Sequence, residues 1–213
     1  MRLEPLHAGH APLLAEAAAE NRASYGFTWV PDGLDDAHRW VQGALAYRAT
    51  GAAVPFAVRR LADDTIVGST RFLDLQVFIW PPPWPPGVGR GPEPADDLPP
   101  SVAEIGSTWY SASAQQTGVN TECKLLLLTH AFEVWHVHRV TFKTDARNRA
   151  SRGAIERLGA SQDGVLRAHA PARDGTIRDT AYYSLLAAEW PEVRAGLRGR
   201  LDRLAGGRAG CAR

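Results

Sequence analysis

One succession between residues 104 and 158 constrains the fold more than any other feature of the chain. Glu104-Ile105-Gly106-Ser107-Thr108-Trp109-Tyr110 reads as a strand, a short run holding an isoleucine, a threonine and two aromatics. A polar, glycine-containing turn follows at 113–120. The run 121–135 then carries Leu125, Leu128, Ala131, Phe132 and Trp135 along one side, at helical spacing. Arg139-Val140-Thr141-Phe142-Lys143-Thr144 is a second strand, and 148–158 a second helix, stopped by Gly159. Strand, turn, helix, strand and helix in that order predict a mixed α/β domain around one sheet.

The flanks fit the same layer. Residues 1–50 read as mostly helical, with Leu13, Leu14 and Ala17 in one stretch and Trp40, Val41, Ala44 and Leu45 in another. The aromatic, turn-rich segment 25–33 between them reads as a loop. Strands are predicted at 55–60 and 65–72, turning at Asp63-Asp64, and at 164–170 and 178–186, turning near Asp174-Gly175. Pro191 opens a final arginine-rich helix, and Gly206-Gly207 starts a predicted tail, 206–213. Nine of the 15 prolines fall in 81–100, so 80–102 is expected to be a long loop inserted in a single domain spanning 1–205. A chain of 213 residues is comfortable for one domain.

Composition removes several function classes. No apolar run approaches the roughly 18–20 residues of a membrane span, and the N-terminus lacks the apolar stretch and cleavage site of a signal peptide. Two cysteines far apart make no disulfide framework, so a cytoplasmic protein is expected. Basic and acidic residues number 24 and 23, without the basic excess of a nucleic-acid binder. Only Lys124 and Lys143 are lysines; the other basic residues are arginines, which fits a GC-rich coding sequence.

The turn carries the first chemical signal. A strand running through Gln115-Gln116-Thr117-Gly118-Val119-Asn120 into a helix is an anion site, because the first helical N–H groups lack carbonyl partners. Asn120 is the expected N-cap, and Gly118 the expected residue of positive φ. The chain has neither a Gly-x-x-x-x-Gly-Lys-Ser/Thr loop nor a Gly-x-Gly-x-x-Gly turn opening a helix.

Three segments together resemble the GNAT superfamily of acetyl-CoA-dependent N-acetyltransferases, in its RimJ/RimL-like branch. They are the Gln/Arg-x-x-Gly-x-Gly/Ala turn at 115–120, the Asn-x-x-Ser…Leu-Gly-Ala run at 148–160, and Glu104-Ile105-Gly106 ahead of the turn. Asn120 departs from the Gly or Ala usual there. The resemblance implies a GNAT fold in which strand 104–110 splays from strand 139–144 to admit pantetheine. It implies that backbone groups of Tyr110, Gln115, Gln116, Thr117, Gly118, Val119, Asn120 and Thr121 serve acetyl-CoA, with Asn148 on the pantetheine and Arg149 and Arg152 on its phosphates. It implies Glu104 as the base that takes the amine proton and Ser151 as the proton donor to the thiol, also near the cofactor.

Acceptor residues are read from the remaining aromatics: Trp29, Trp84 and Tyr183. Tyr182 and Tyr183 point to opposite faces of the last strand, one to the core and one to a pocket. The expected acceptor is a primary amine on a small molecule, an antibiotic or an aminoacyl compound among them. Alternatives are a protein N-terminus, such as that of a ribosomal protein, and a non-catalytic CoA-binding module. No metal, membrane or nucleic-acid partner is expected, and a homodimer is compatible. His136-Val137-His138 lacks a third ligand, and Val134 interrupts a His-x-x-Glu-His pattern from His130.

Overall fold

Alternating strands gather into one seven-stranded sheet in the order β1-β2-β3-β4-β5-β7-β6. A computed structural model describes residues 1–78 and 98–209. The strands are β1 (Arg2–Pro5), β2 (Val54–Arg60), β3 (Thr65–Gln76), β4 (Val102–Tyr110), β5 (Arg139–Asp145), β6 (Ser161–Pro171) and β7 (Ile177–Leu186). All neighbours run antiparallel except β4 and β5, which are parallel. Trp84, with the proline-rich stretch from 81 to 97, lies outside the described residues.

Helices cover both faces. Helices α3 (Val119–Thr129) and α5 (Trp190–Ala209) bury Leu127, Leu128 and Leu197 against Ile105, Val140, Phe142 and Tyr183. Helices α1 (Ala11–Ala19) and α2 (Leu34–Ala49) bury Leu14, Ala37 and Val41 against Ala57, Ile66 and Trp109 on the other face. Helix α4 (Arg149–Glu156) follows β5 and seats Ile155 in the first core. After α3 the chain widens into a π turn at His130–Val134, closed by Trp135 N–H donating to the His130 carbonyl at 3.0 Å. No helix among the described residues is long and apolar enough to cross a membrane.

Two expectations need correction. The first residues are not helical: β1 adds an edge strand on β2, its four residues too few to show a period. Nor does the last helix end at Gly206-Gly207, since α5 continues to Ala209. Each helical glycine costs only about 1 kcal/mol, and Leu201 and Leu204 anchor that end of α5 beside Gly118 on the α3 N-terminus.

Close approach of β3 and β4 depends on Gly68, at φ +154°, paired with Tyr110. An added Cβ would stand 2.1 Å from the Trp109 carbonyl oxygen. Gly68→Ala is therefore expected to cost about 3 kcal/mol or more in chemical denaturation, by strain and lost pairing. A loss within about 0.5 kcal/mol would show that β4 accommodates the methyl group without strain.

Candidate active site

Strand β4 pairs with β5 only from Val102–Arg139 to Glu104–Thr141. Beyond that point each strand keeps its other neighbour: β4 follows β3 to Tyr110, and β5 follows β7 to Asp145. The strands therefore part, leaving a gap edged by 105–110 and 142–145. A bulge in β4 marks the divergence. Ser69 pairs with Trp109 and Arg71 with Gly106, so Ser107 and Thr108 stand outside the ladder, with Ser107 at φ +46°.

The turn into α3 lies past the end of β4. Its left-handed residue is Gln116, at φ +55°, and not Gly118, which has φ −70° and forms the N-cap. Asn120 is already inside the helix, so its expected capping role falls to the Thr117 hydroxyl, which accepts from Val119 N–H at 3.2 Å. The N–H groups of Gln116, Thr117, Gly118, Asn120 and Thr121 have no hydrogen-bond partner among the described residues. Five free donors at one helix start have the chemistry to hold phosphate oxygens.

On the sheet face away from α3 and α5, two carboxylates share one ammonium. Lys143 Nζ lies 2.6 Å from Glu104 Oε2 and 2.6 Å from Asp74 Oδ2. Asp74 reaches this face from a second bulge, in β3, where it adopts φ +47°. Burial lifts the Glu104 carboxyl above the ordinary glutamate range, against the hydrogen bond from Lys143. The hydrogen bond from Lys143 holds Asp74 below its ordinary range. Burial by itself would lower Lys143, but its bonds to Asp74 and Glu104 together hold it above the usual lysine range. Two acids pushed in opposite directions leave Glu104 the more basic. Its Oε1 would stand 2.7 Å from a Cβ at position 106, so Gly106 is what gives that oxygen room beside the bulge.

An acetyltransferase (GNAT) domain model matches residues 1–161. The chain belongs to the GNAT acetyltransferase family. It is an N-acetyltransferase, and its family uses acetyl-CoA. Among solved structures, a T. thermophilus protein described as an acetyltransferase is 30% identical, with TM-score 0.71, covering 94% of this chain and 93% of that one. Mycobacterium smegmatis RimJ, in complex with CoA-disulfide, is 19% identical at TM-score 0.71, covering 93% of this chain and 88% of that one. RimL, a ribosomal L7/L12 α-N-protein acetyltransferase, is 19% identical at TM-score 0.66, covering 86% and 88%. No curated protein matches the sequence closely enough to count as a relative.

In this GNAT chain the free donors of the turn and the parted strands fit a cofactor with a pyrophosphate and an extended arm. Asn148 caps α4, its Oδ1 accepting from Ser151 N–H at 3.0 Å, and the Ser151 hydroxyl makes no hydrogen bond among the described residues. Arg149 is exposed near the same helix start. Arg152 departs from expectation: its guanidinium donates to the Tyr183 hydroxyl at 2.9 Å and reaches the Gln162 side chain, so it is engaged in packing α4 onto β7. Tyr183 departs too, being fully buried, with its hydroxyl donating to Glu156 at 2.8 Å. Its neighbour Tyr182 instead lines a cleft of about 540 Å³ together with Asp74, Thr141, Lys143 and Asp163. Trp29 is exposed and stands apart from that cleft. Tyr110 is buried, and its carbonyl accepts from Tyr25 and from Gln115 Nε2.

The acetyltransferase places both of its lysines at the parted strands, so their scarcity among 24 basic residues is a signal that composition alone could have supplied. Lys124 is buried beneath the bulge, donating to Thr108 Oγ1 at 2.9 Å, which in turn contacts Thr70 Oγ1 at 2.7 Å. Burial pushes its ammonium down to about 8. Between about pH 8 and the unfolded value near 10.4, the unfolded chain holds a proton that the folded chain has released, so stability rises with pH. The stability of wild type relative to Lys124→Met should accordingly grow across that window and stay constant below it. A difference independent of pH would show that Lys124 titrates normally.

Arg71 was also missed. It is 9% exposed on β3, its Nε has no hydrogen-bond partner among the described residues, and burial lowers its pKa. The guanidinium lies 4.7 Å from the centre of the Trp40 ring. Such stacking contributes about 0.5–2 kcal/mol, less than the several kcal/mol a buried, unpaired charge costs.

Proposed function

We propose that this acetyltransferase moves the acetyl group of acetyl-CoA directly to the primary amine of a small molecule. The observation that carries the proposal is Glu104: a buried carboxylate of raised basicity where the strands begin to part, joined to Lys143, which lines a cleft of about 540 Å³. That volume suits a small ligand. Arg173 of the β6–β7 turn donates to the Tyr25 carbonyl at 3.1 Å, which ties the loop after α1 to that turn.

Acetyl-CoA supplies the activated thioester; the remaining steps fall to the chain. The free N–H groups from Gln116 to Thr121 hold the pyrophosphate, Arg149 supports a phosphate, and Asn148 keeps its amide nitrogen for the pantetheine. An alkyl ammonium with pKa near 10 must lose a proton before it can attack. Glu104 Oε1 accepts it, while Lys143 fixes the carboxylate through Oε2. The backbone N–H groups at the Ser107–Thr108 bulge favour negative charge on the thioester oxygen. The Ser151 hydroxyl gives a proton to the leaving sulfur and is restored, through solvent, by the second proton that the nitrogen loses as the amide forms.

A second reading, acetylation of a protein N-terminus, is favoured by the likeness to RimJ and RimL. Incubation with labelled acetyl-CoA and a mixed panel of small amines and peptides, read by mass spectrometry, separates the two. Label on small amines at the greater kcat/KM supports the proposal. Label confined to peptide N-termini replaces it with the second reading.

A further inference from the structure

We propose that Arg71 binds a carboxylate on the acceptor, so that the small molecule acetylated carries its amine and an acid group close together. This rests on the small-amine reading above. Strand pairing sets Arg71 opposite Gly106, and cross-strand partners share a face. A Cβ on Gly106 would point at Glu104 Oε1 at 2.7 Å, so the guanidinium and the proposed base flank one spot on one face of the sheet.

The guanidinium there has no acidic or hydrogen-bonding partner among the described residues, although it is nine-tenths buried. The Trp40 ring fixes its plane and offers no acceptor atom in return. A second orphan donor borders the same ring: Trp109 Nε1 is buried without a partner among the described residues, and its ring packs edge-on against Trp40, centroids 6.3 Å apart. Two buried donors beside one ring lack acceptors, and no oxyanion among the described residues serves them. The planar fork of arginine matches a carboxylate in two parallel hydrogen bonds. Nearby, Glu104 and Asp74 against the single Lys143 leave one net negative charge for the incoming ammonium. The face therefore presents one site for a cation and one for an anion, complementary to an amino-acid-like zwitterion. One guanidinium balances one carboxylate; a phosphate would retain excess charge.

The test compares amino acids with their own carboxamides as acceptors, by thiol release at saturating acetyl-CoA. The amide's amine is the less basic of the pair, so intrinsic chemistry favours the amide. Wild type should nonetheless prefer the acid by at least about tenfold in kcat/KM. In Arg71→Gln that ratio should collapse toward one, through a higher KM for the acid. The wild-type comparison stands even if the variant fails to fold. An acid no better than its amide overturns the proposal. So does a variant in which both fall together, which would place Arg71 on the thioester, and so does a preference for phosphorylated amines over carboxylates. If peptides alone are acetylated, the small-amine reading falls as well, a result distinct from acetylated amino acids that show no preference for the acid.

Discussion

Replacing Glu104 with Gln is expected to lower kcat about 10²–10⁴-fold while leaving affinity for acetyl-CoA within about threefold. The isosteric amide keeps the contact over Gly106, and Lys143 keeps Asp74 as its counter-ion, so the fold should be undisturbed. The defect should shrink as the pH approaches about 10, where the amine becomes neutral without help. Because burial raises the Glu104 carboxyl, the acid limb of the wild-type kcat/KM profile should lie above the ordinary glutamate range. That limb should vanish in the variant. Turnover within about threefold of wild type at neutral pH would remove Glu104 from proton transfer.

The second large effect concerns the turn before α3. Gly118 is the N-cap in an ordinary helical conformation, and a Cβ there would touch Leu201 and Leu204 at 3.6 and 3.5 Å, normal contact distances. Aspartate is a favoured N-cap, so Gly118→Asp should leave the free protein as stable as wild type or slightly more so. Its carboxylate would, however, occupy the donors proposed for the pyrophosphate and repel it. The rise in Tm caused by CoA should therefore disappear in this variant. A rise equal to that of wild type would put the cofactor elsewhere. The pairing of an unharmed fold with lost binding is what separates a site effect from general damage.

Local order was legible in the sequence where one period dominates. Leu125, Leu128 and Phe132 mark a helix, and the runs around Val140 and Phe142 mark a strand, with no tertiary information. The strand β1 escaped because its four residues carry no alternation, and its identity depends on β2 beside it. The positive φ passed from Gly118 to Gln116 because a glycine tolerates that conformation without requiring it. Tyr182 and Tyr183 could not be told apart, since alternation separates faces but does not say which face is the core.

The chemical site was half legible. Glu104 and the turn at 115–120 lie on one contiguous stretch with a recognisable succession. Asp74 and Arg71 on β3, Lys124 on α3 and Lys143 on β5 meet only in the tertiary fold, with Asp74 presented by the bulge in β3. Nothing local in Ser-Thr-Arg-Phe-Leu-Asp at 69–74 distinguishes a surface arginine from a buried one. The rarity of lysine fits coding bias, yet both lysines occupy positions that use a compact ammonium.

The most direct test of acetyl transfer at the parted strands is a quenched single turnover with acetyl-labelled CoA and an amine acceptor found by mass spectrometry. Label should pass to the amine at the rate of thiol release, with none on the protein at any time, and both should be slowed together by Glu104→Gln. Label accumulating first on the protein, or thiol released without acetylated amine, would contradict direct transfer.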